Sequence, residues 1–160
     1  MSDVFTVAFV TSVLAAAMWT GSAILYAALG GMVGVCIEPG REGELLWFSP
    51  DWDRSVVAPS PVVCGDALIF ATAGYGAGGI LLQVSRTASG VFRVETLQQY
   101  PSSKGFASEQ QTPVLADGHL FGVLPNDAGA SRNQLVCVHP ANPGAVVWSS
   151  GRDRRFGLGP

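Results

Sequence analysis

The chain carries little charge. Of its 160 residues, 13% are Asp, Glu, Lys or Arg, and the formal net charge is −3. Apolar residues make up 48%, so an unfolded polyelectrolyte is excluded and a core can be buried. No basic stretch is long enough to follow a phosphate backbone. Arg152, Arg154 and Arg155 form a short cluster with Asp153 inside it, and nucleic acid is not expected as a partner. Cysteine is scarce: Cys36, Cys64 and Cys137 are odd in number and show no C-x-x-C spacing. That spacing argues against a disulfide framework and for thiols that pack as small apolar groups. His119 and His139 are the two histidines. Neither belongs to a spaced ligand set, so no metal site is expected. A Ser-His-Asp arrangement, a Walker loop and His-Glu-x-x-His are all missing, and no catalytic residue can be assigned.

What the chain does have is repetition. Thr112-Pro113-Val114-Leu115 is followed by Asp117 to Leu124, then by Asn133 to Val138, then by Pro143 to Trp148. Short apolar runs bounded by Gly, Pro, Asn and Asp read as strands joined by tight turns. The same order occurs upstream in Ser60-Pro61-Val62-Val63, Gly65 to Ala71, Gly79 to Val84 and Gly90 to Val94. A less regular copy runs through Thr11 to Leu14, Ala23 to Ala27, Gly31 to Val35 and Gly43 to Trp47. The period is roughly 50 residues, in the range of propellers and other arrays. The copies divide the chain at about 4–50, 51–100 and 101–150, with 151–160 opening a further one. Trp47 and Trp148 hold the same place in their copies, with Val94 or a neighbour filling it in the middle copy. A large aromatic at the end of an outer strand is expected to pack between neighbouring sheets.

Val4 to Ile37 contains no charged residue and is long enough to cross a membrane or to include an export segment. Asp3 precedes it without any Lys or Arg, and Gly21, Gly30, Gly31 and Gly34 interrupt it. The run also coincides with the first strands of the repeat. Buried strands are the favoured reading, a membrane is not expected, and no convincing signal peptide is visible.

The connections hold the remaining candidates. Gly74-Tyr75-Gly76-Ala77-Gly78-Gly79 matches G-x-G-x-x-G, but the dinucleotide fingerprint requires a helix directly after it. A short apolar run follows instead, which favours a glycine hairpin. Asp51-Trp52-Asp53-Arg54 reads as a solvated, self-paired turn ahead of an acid/base pair. Leu97 to Gln111 reads as a long polar connection. Residues able to recognise a ligand by hydrogen bonding or charge are expected in loops at one end of the blades. Glu109, Gln110 and Gln111 are placed first, followed by Tyr75, Asn126, Asp127, Arg132 and Asn133.

The repeats resemble the pyrroloquinoline-quinone-like repeat family, the quinoprotein-like β-propellers. The resemblance rests on Gly31 to Val35 with Gly43 to Trp47, on Asn133 to Val138 with Gly144 to Trp148, and on Ser60 to Val63 and Thr112 to Leu115 as inner strands. It spans about Thr11 to Pro160, though Cys36 to Gly43 and His139 to Gly144 lack the family's usual Asp-x-x-Thr-Gly turn. It implies an all-β fold: about three four-stranded antiparallel blades, part of a propeller of seven or eight. Such an array leaves edge strands to be covered by further blades or by self-association. It implies a periplasmic or extracellular location, and a non-catalytic module that binds or scaffolds a protein or polymer. The alternative it leaves open is a fragment of a pyrroloquinoline-quinone-dependent alcohol or sugar dehydrogenase. Under that alternative alone, pyrroloquinoline quinone and calcium would be cofactors; the family's adjacent cysteines and an acidic calcium loop are not seen in this sequence.

Overall fold

A computed structural model describes residues 23–28, 30–54, 57–65 and 67–157. Those residues are all-β, with three short 3-10 turns and no α-helix among them. The first sheet is formed by β1 (Ala23–Ala28), β2 (Gly31–Cys36) and β3 (Leu45–Ser49). The second is β4 (Val62–Val63), β5 (Leu68–Ala73), β6 (Gly78–Arg86) and β7 (Phe92–Tyr100). The third is β8 (Val114–Ala116), β9 (His119–Val123), β10 (Leu135–Val138) and β11 (Val146–Ser149). Each is an antiparallel meander in which every strand pairs with its sequence neighbours. The strand expected at Thr11 to Leu14 and the last three residues, 158–160, of the further copy expected to open at 151–160 lie outside the described residues. The uncharged run resolves into β1 and β2 over its described part, and no described helix is long and apolar enough to cross a membrane.

Side chains on a strand point alternately to opposite faces, and the second sheet uses both. Ile69, Ala71, Ala73, Ile80, Leu82 and Val84 join Leu25, Met32, Trp47 and Trp52 of the first sheet and its following turn in one core. Phe70 and Leu81, from the alternate positions, join Leu120, Val136 and Val138 of the third sheet in another. The second sheet is thus sandwiched between the first and the third. Strands apolar on both faces are what such a position requires, and they appear as unbroken runs such as Ile80-Leu81-Leu82.

Phe106 seals the second core. It is fully buried, its ring lies 5.5 Å from that of Phe70, and it presses on Gly122, where a Cβ would come within 2.8 Å of the ring. Its N–H donates to Pro143 O at 2.9 Å and its carbonyl accepts the Tyr100 hydroxyl at 3.0 Å. One aromatic therefore fastens the connection between β7 and β8 to both flanking sheets.

The three sheets share an irregularity. The pairing of the last two strands of each sheet shifts register between Gly34 and Val35, between Leu81 and Leu82, and between Cys137 and Val138. A bulge of this kind places one unpaired residue on the outer strand and increases its twist. The unpaired residues are Leu46, Leu97 and Val147. Just beyond them stand Trp47, Gln98 and Trp148, 51 and 50 residues apart, opposite Gly34, Leu81 and Cys137.

This corrects two expectations. The position equivalent to Trp47 in the middle copy is Gln98, not Val94, and Leu97 to Tyr100 belongs to β7 instead of to a connection. The cause is the length of β6 and β7, nine residues each, which carries their hairpin past the point where the shorter copies turn. The Gln98 amide lies beside the connection between β10 and β11, its Nε2 3.5 Å from where a Cβ of Gly144 would stand. Trp47 packs between sheets as expected, at 5% exposure; Trp148 does not, at 52%. Cys36 and Cys137 are buried and all three thiols are free. Burial pushes the Cys64 thiol up to about 11, as expected for an inert apolar cysteine.

Candidate functional site

The hairpin between β5 and β6 is set by its glycines. Ala73 pairs with Gly78, leaving Gly74-Tyr75-Gly76-Ala77 to turn the chain. Ala77 N–H donates to Gly74 O at 3.2 Å, and the two central residues have φ of 55° and 80°. Two successive left-handed residues are the signature of a type I′ turn, whose twist matches the strands it joins. Gly76 accepts that conformation freely, whereas Tyr75 is held in it, its side chain 76% exposed. Gly78 is required for a different reason: at φ 77°, a Cβ there would run into Tyr100 O and Pro101.

This turn forms one wall of an open cleft of about 570 Å³, within the usual size of small-ligand sites. The lining is Gly74 to Ala77 from the turn, Gln99, Tyr100 and Pro101 from the end of β7, and Arg54 from the connection after β3. The Arg54 guanidinium lies 4.7 Å from the Trp52 ring centroid, a cation over an aromatic face. Its Nη1 donates to Asp53 O at 2.8 Å, and its Nε is buried without a hydrogen-bond partner among the described residues. The neighbouring carboxylates are engaged elsewhere. Asp51 accepts from the Thr96 hydroxyl and Asp53 accepts from Gly30 N–H at 3.0 Å. The turn expected to pair with itself instead ties the first sheet to β7 and leaves Arg54 available to the cleft. Burial holds the Tyr100 phenol well above its ordinary value, so it remains a protonated donor to Phe106 O.

Two of the expected carboxylates reach the same turn. Glu109 lies under Gly74, its Cα 3.4 Å from where a Cβ would stand, and Asp127 Oδ2 is 3.8 Å from the corresponding point at Gly76. Tyr75, Glu109 and Asp127 are therefore gathered at one end of the second and third sheets. Gln110, Asn126 and Arg132 are exposed loop residues that line no part of the cleft. The exposed Gln111 contributes a carbonyl to Ser108 Oγ at 2.6 Å. Asn133 closes its own loop: at φ 60° it donates its N–H to Leu124 O at 2.9 Å and accepts Phe156 N–H at 2.7 Å. Arg54 and Gln99 are cleft residues that sequence reasoning missed. The Trp52-Asp53-Arg54 juxtaposition was a usable signal for the first; nothing marked the second, hidden among the glutamines of an outer strand. His119 and His139 meet edge to face, with centroids 5.9 Å apart. No group of three or more metal-binding side chains forms among the described residues.

The lining offers a planar cation, an amide, an exposed aromatic ring and flanking carboxylates. That set can hold a flat or ring-shaped polar group by stacking and hydrogen bonding. No family model matches this chain, and no curated protein matches it significantly.

Proposed function

We propose that the three sheets are consecutive blades of a β-propeller of the pyrroloquinoline-quinone-like repeat type, and that the chain acts as a binding or scaffold module for a protein or polymer. The face-to-face stacking of the sheets in chain order supports the first part, as does the bulge shared by all three. A further support lies at their innermost strands. Ser60 and Thr112 open equivalent copies, and Ser60 N–H donates to the Thr112 hydroxyl at 2.9 Å. Equivalent inner residues that touch across neighbouring sheets are what convergence on a central axis would produce.

The observation that carries the binding reading is the cleft at the β5–β6 turn. Arg54, Tyr75 and Gln99 converge on it while Glu109 and Asp127 flank it. These groups recognise by charge, amide hydrogen bonds and stacking. The test is a screen of the immobilised chain against peptides and oligosaccharides at up to about 1 mM, a weak-binding limit. A true ligand loses at least about tenfold in affinity, or ~1.4 kcal/mol, on Tyr75→Ala and on Arg54→Ala. No ligand at that limit, or a ligand indifferent to both substitutions, rejects the assignment.

A further inference from the structure

Arg54 is the charged side chain among the residues that line the cleft, and its charge is unanswered within the described protein. Ion pairs among the described residues join Arg41 to Glu38 and Glu44, and none involves Arg54. The carboxylates nearest to it in sequence have other partners: Asp51 takes the Thr96 hydroxyl and Asp53 takes Gly30 N–H. Of the guanidinium donors, Nη1 is used by Asp53 O, and Nε–H is buried with no acceptor among the described residues. The group is nevertheless held in place, stacked over the buried Trp52 ring. A cation fixed by stacking and one hydrogen bond, with donors unspent, is arranged for an acceptor from outside.

Tyr75 is the second unspent group. Its φ of 55° lies in a region that favours glycine or asparagine. Its exposed side chain has no hydrogen-bond or ring partner among the described residues. An aromatic kept in a strained turn position, with nothing inside the protein to hold it, points to a use outside the protein. Gln99 adds an amide whose Nε2 lies 3.5 Å from Asp51 O, which leaves the amide oxygen as an acceptor.

These groups select among ligands. One guanidinium matches one carboxylate, whose planar oxygens it meets with parallel N–H donors. Glu109 and Asp127 stand against the same turn and oppose the higher charge of a phosphate or a sulfated chain. An exposed aromatic face beside an amide suits a saturated ring that bears hydroxyls: the ring stacks and the hydroxyls hydrogen-bond. A peptide anchor instead needs a pocket that dries an apolar side chain. Beyond the Tyr75 ring, the lining offers only Ala77 and Pro101 for that, since Tyr100 is itself buried. We propose that the cleft binds an acidic sugar, a uronic acid unit of an oligosaccharide or polysaccharide, with its carboxylate on Arg54 and its ring on Tyr75. This rests on the binding reading of the cleft given above and narrows it to one ligand class.

The test is isothermal titration of the full chain with oligogalacturonate, oligomannuronate and hyaluronan fragments. Each is run beside its methyl ester, which keeps the rings and hydroxyls and removes the charge. A glutamate peptide and a neutral cello-oligosaccharide complete the set. At least one uronate binds within about 1 mM, and its ester binds at least about tenfold more weakly, ~1.4 kcal/mol. In Arg54→Gln the acid and the ester bind alike, because the charge has lost its partner. In Tyr75→Ala both forms weaken together. Near-UV circular dichroism checks that the variants fold, and the comparison of acid with ester on the wild type needs no variant. Failure of every uronate to bind overturns the proposal, as does an ester that binds as well as its acid. A loss on esterification that persists in Arg54→Gln overturns it too, as does a glutamate peptide bound as tightly as the uronate. A neutral sugar or a peptide that depends on Arg54 and Tyr75, while no uronate binds, removes the acidic-sugar assignment alone and leaves the cleft a binding site. Silence in every arm removes the binding reading with it.

Discussion

Phe106→Ala should remove much of the chain's stability. Burying and then deleting a phenylalanine side chain costs about 3–5 kcal/mol, and the cost is larger where the surroundings cannot collapse. Here they cannot: the ring is backed by Gly122, which has no side chain to move into the gap. Phe70, its other neighbour at 5.5 Å, is itself fully buried and held in β5. An expected loss of ~4 kcal/mol, near the middle of that range, is therefore a cautious figure. With a urea slope of about 2 kcal/mol/M for a domain of this size, the midpoint falls by about 2 M. Far-UV circular dichroism across a urea titration reads it directly. Phe106→Leu, which retains most of the apolar volume, should lose less than half as much. A Phe106→Ala midpoint within about 0.5 M of the wild type at unchanged slope would refute the role of this residue in joining the two sheets.

Other substitutions test the turn geometry and the thiol. Gly78→Ala places a methyl against Tyr100 O and Pro101 at φ 77°, while Gly118→Ala meets nothing at φ 72°. Both incur the left-handed cost of about 1–2 kcal/mol, so thermal unfolding should show Gly78→Ala as clearly the more damaging. Equal losses would mean that the close approach at Gly78 is relieved at no cost. The Cys64 thiol, pushed up to about 11 from its ordinary 9.0 by burial, deprotonates in the unfolded chain before it does in the folded one. Its contribution to stability is thus fully present below about pH 9 and is lost as pH rises towards 11. Folded chain should also alkylate at Cys64 more slowly near pH 9 than urea-unfolded chain, followed by mass spectrometry; equal rates would contradict the burial.

Strands were legible wherever both faces of a run are apolar or a turn residue ends it, as at Ile80 to Val84 and Leu135 to Val138. The outer strand of the second sheet was not. β7 alternates half-buried and exposed residues along Phe92 to Gln99, and Gln98 stands where two other copies have Trp, so composition alone resembles a connection. Phe106 was hidden for the converse reason: it is a single aromatic in a polar stretch, and only the glycine opposite it, 16 residues away in β9, reveals the socket. Within the cleft, the Tyr75 turn announces itself through glycine spacing. Arg54 and Gln99 depend on which sheet lies beside which, and local pattern carries no record of that.

The hydrogen bond from Ser60 to Thr112 joins a residue to its own counterpart one repeat later. A seam of that kind is self-similar: either partner could be exchanged for the other with a hydroxyl still present on the accepting side. Duplication of the unit from Ser60 to Gln111 would place a second Ser60 at the position of Thr112, with a hydroxyl to accept the same hydrogen bond. A chain lengthened by that unit would gain one whole sheet with this hydrogen bond available at its boundary.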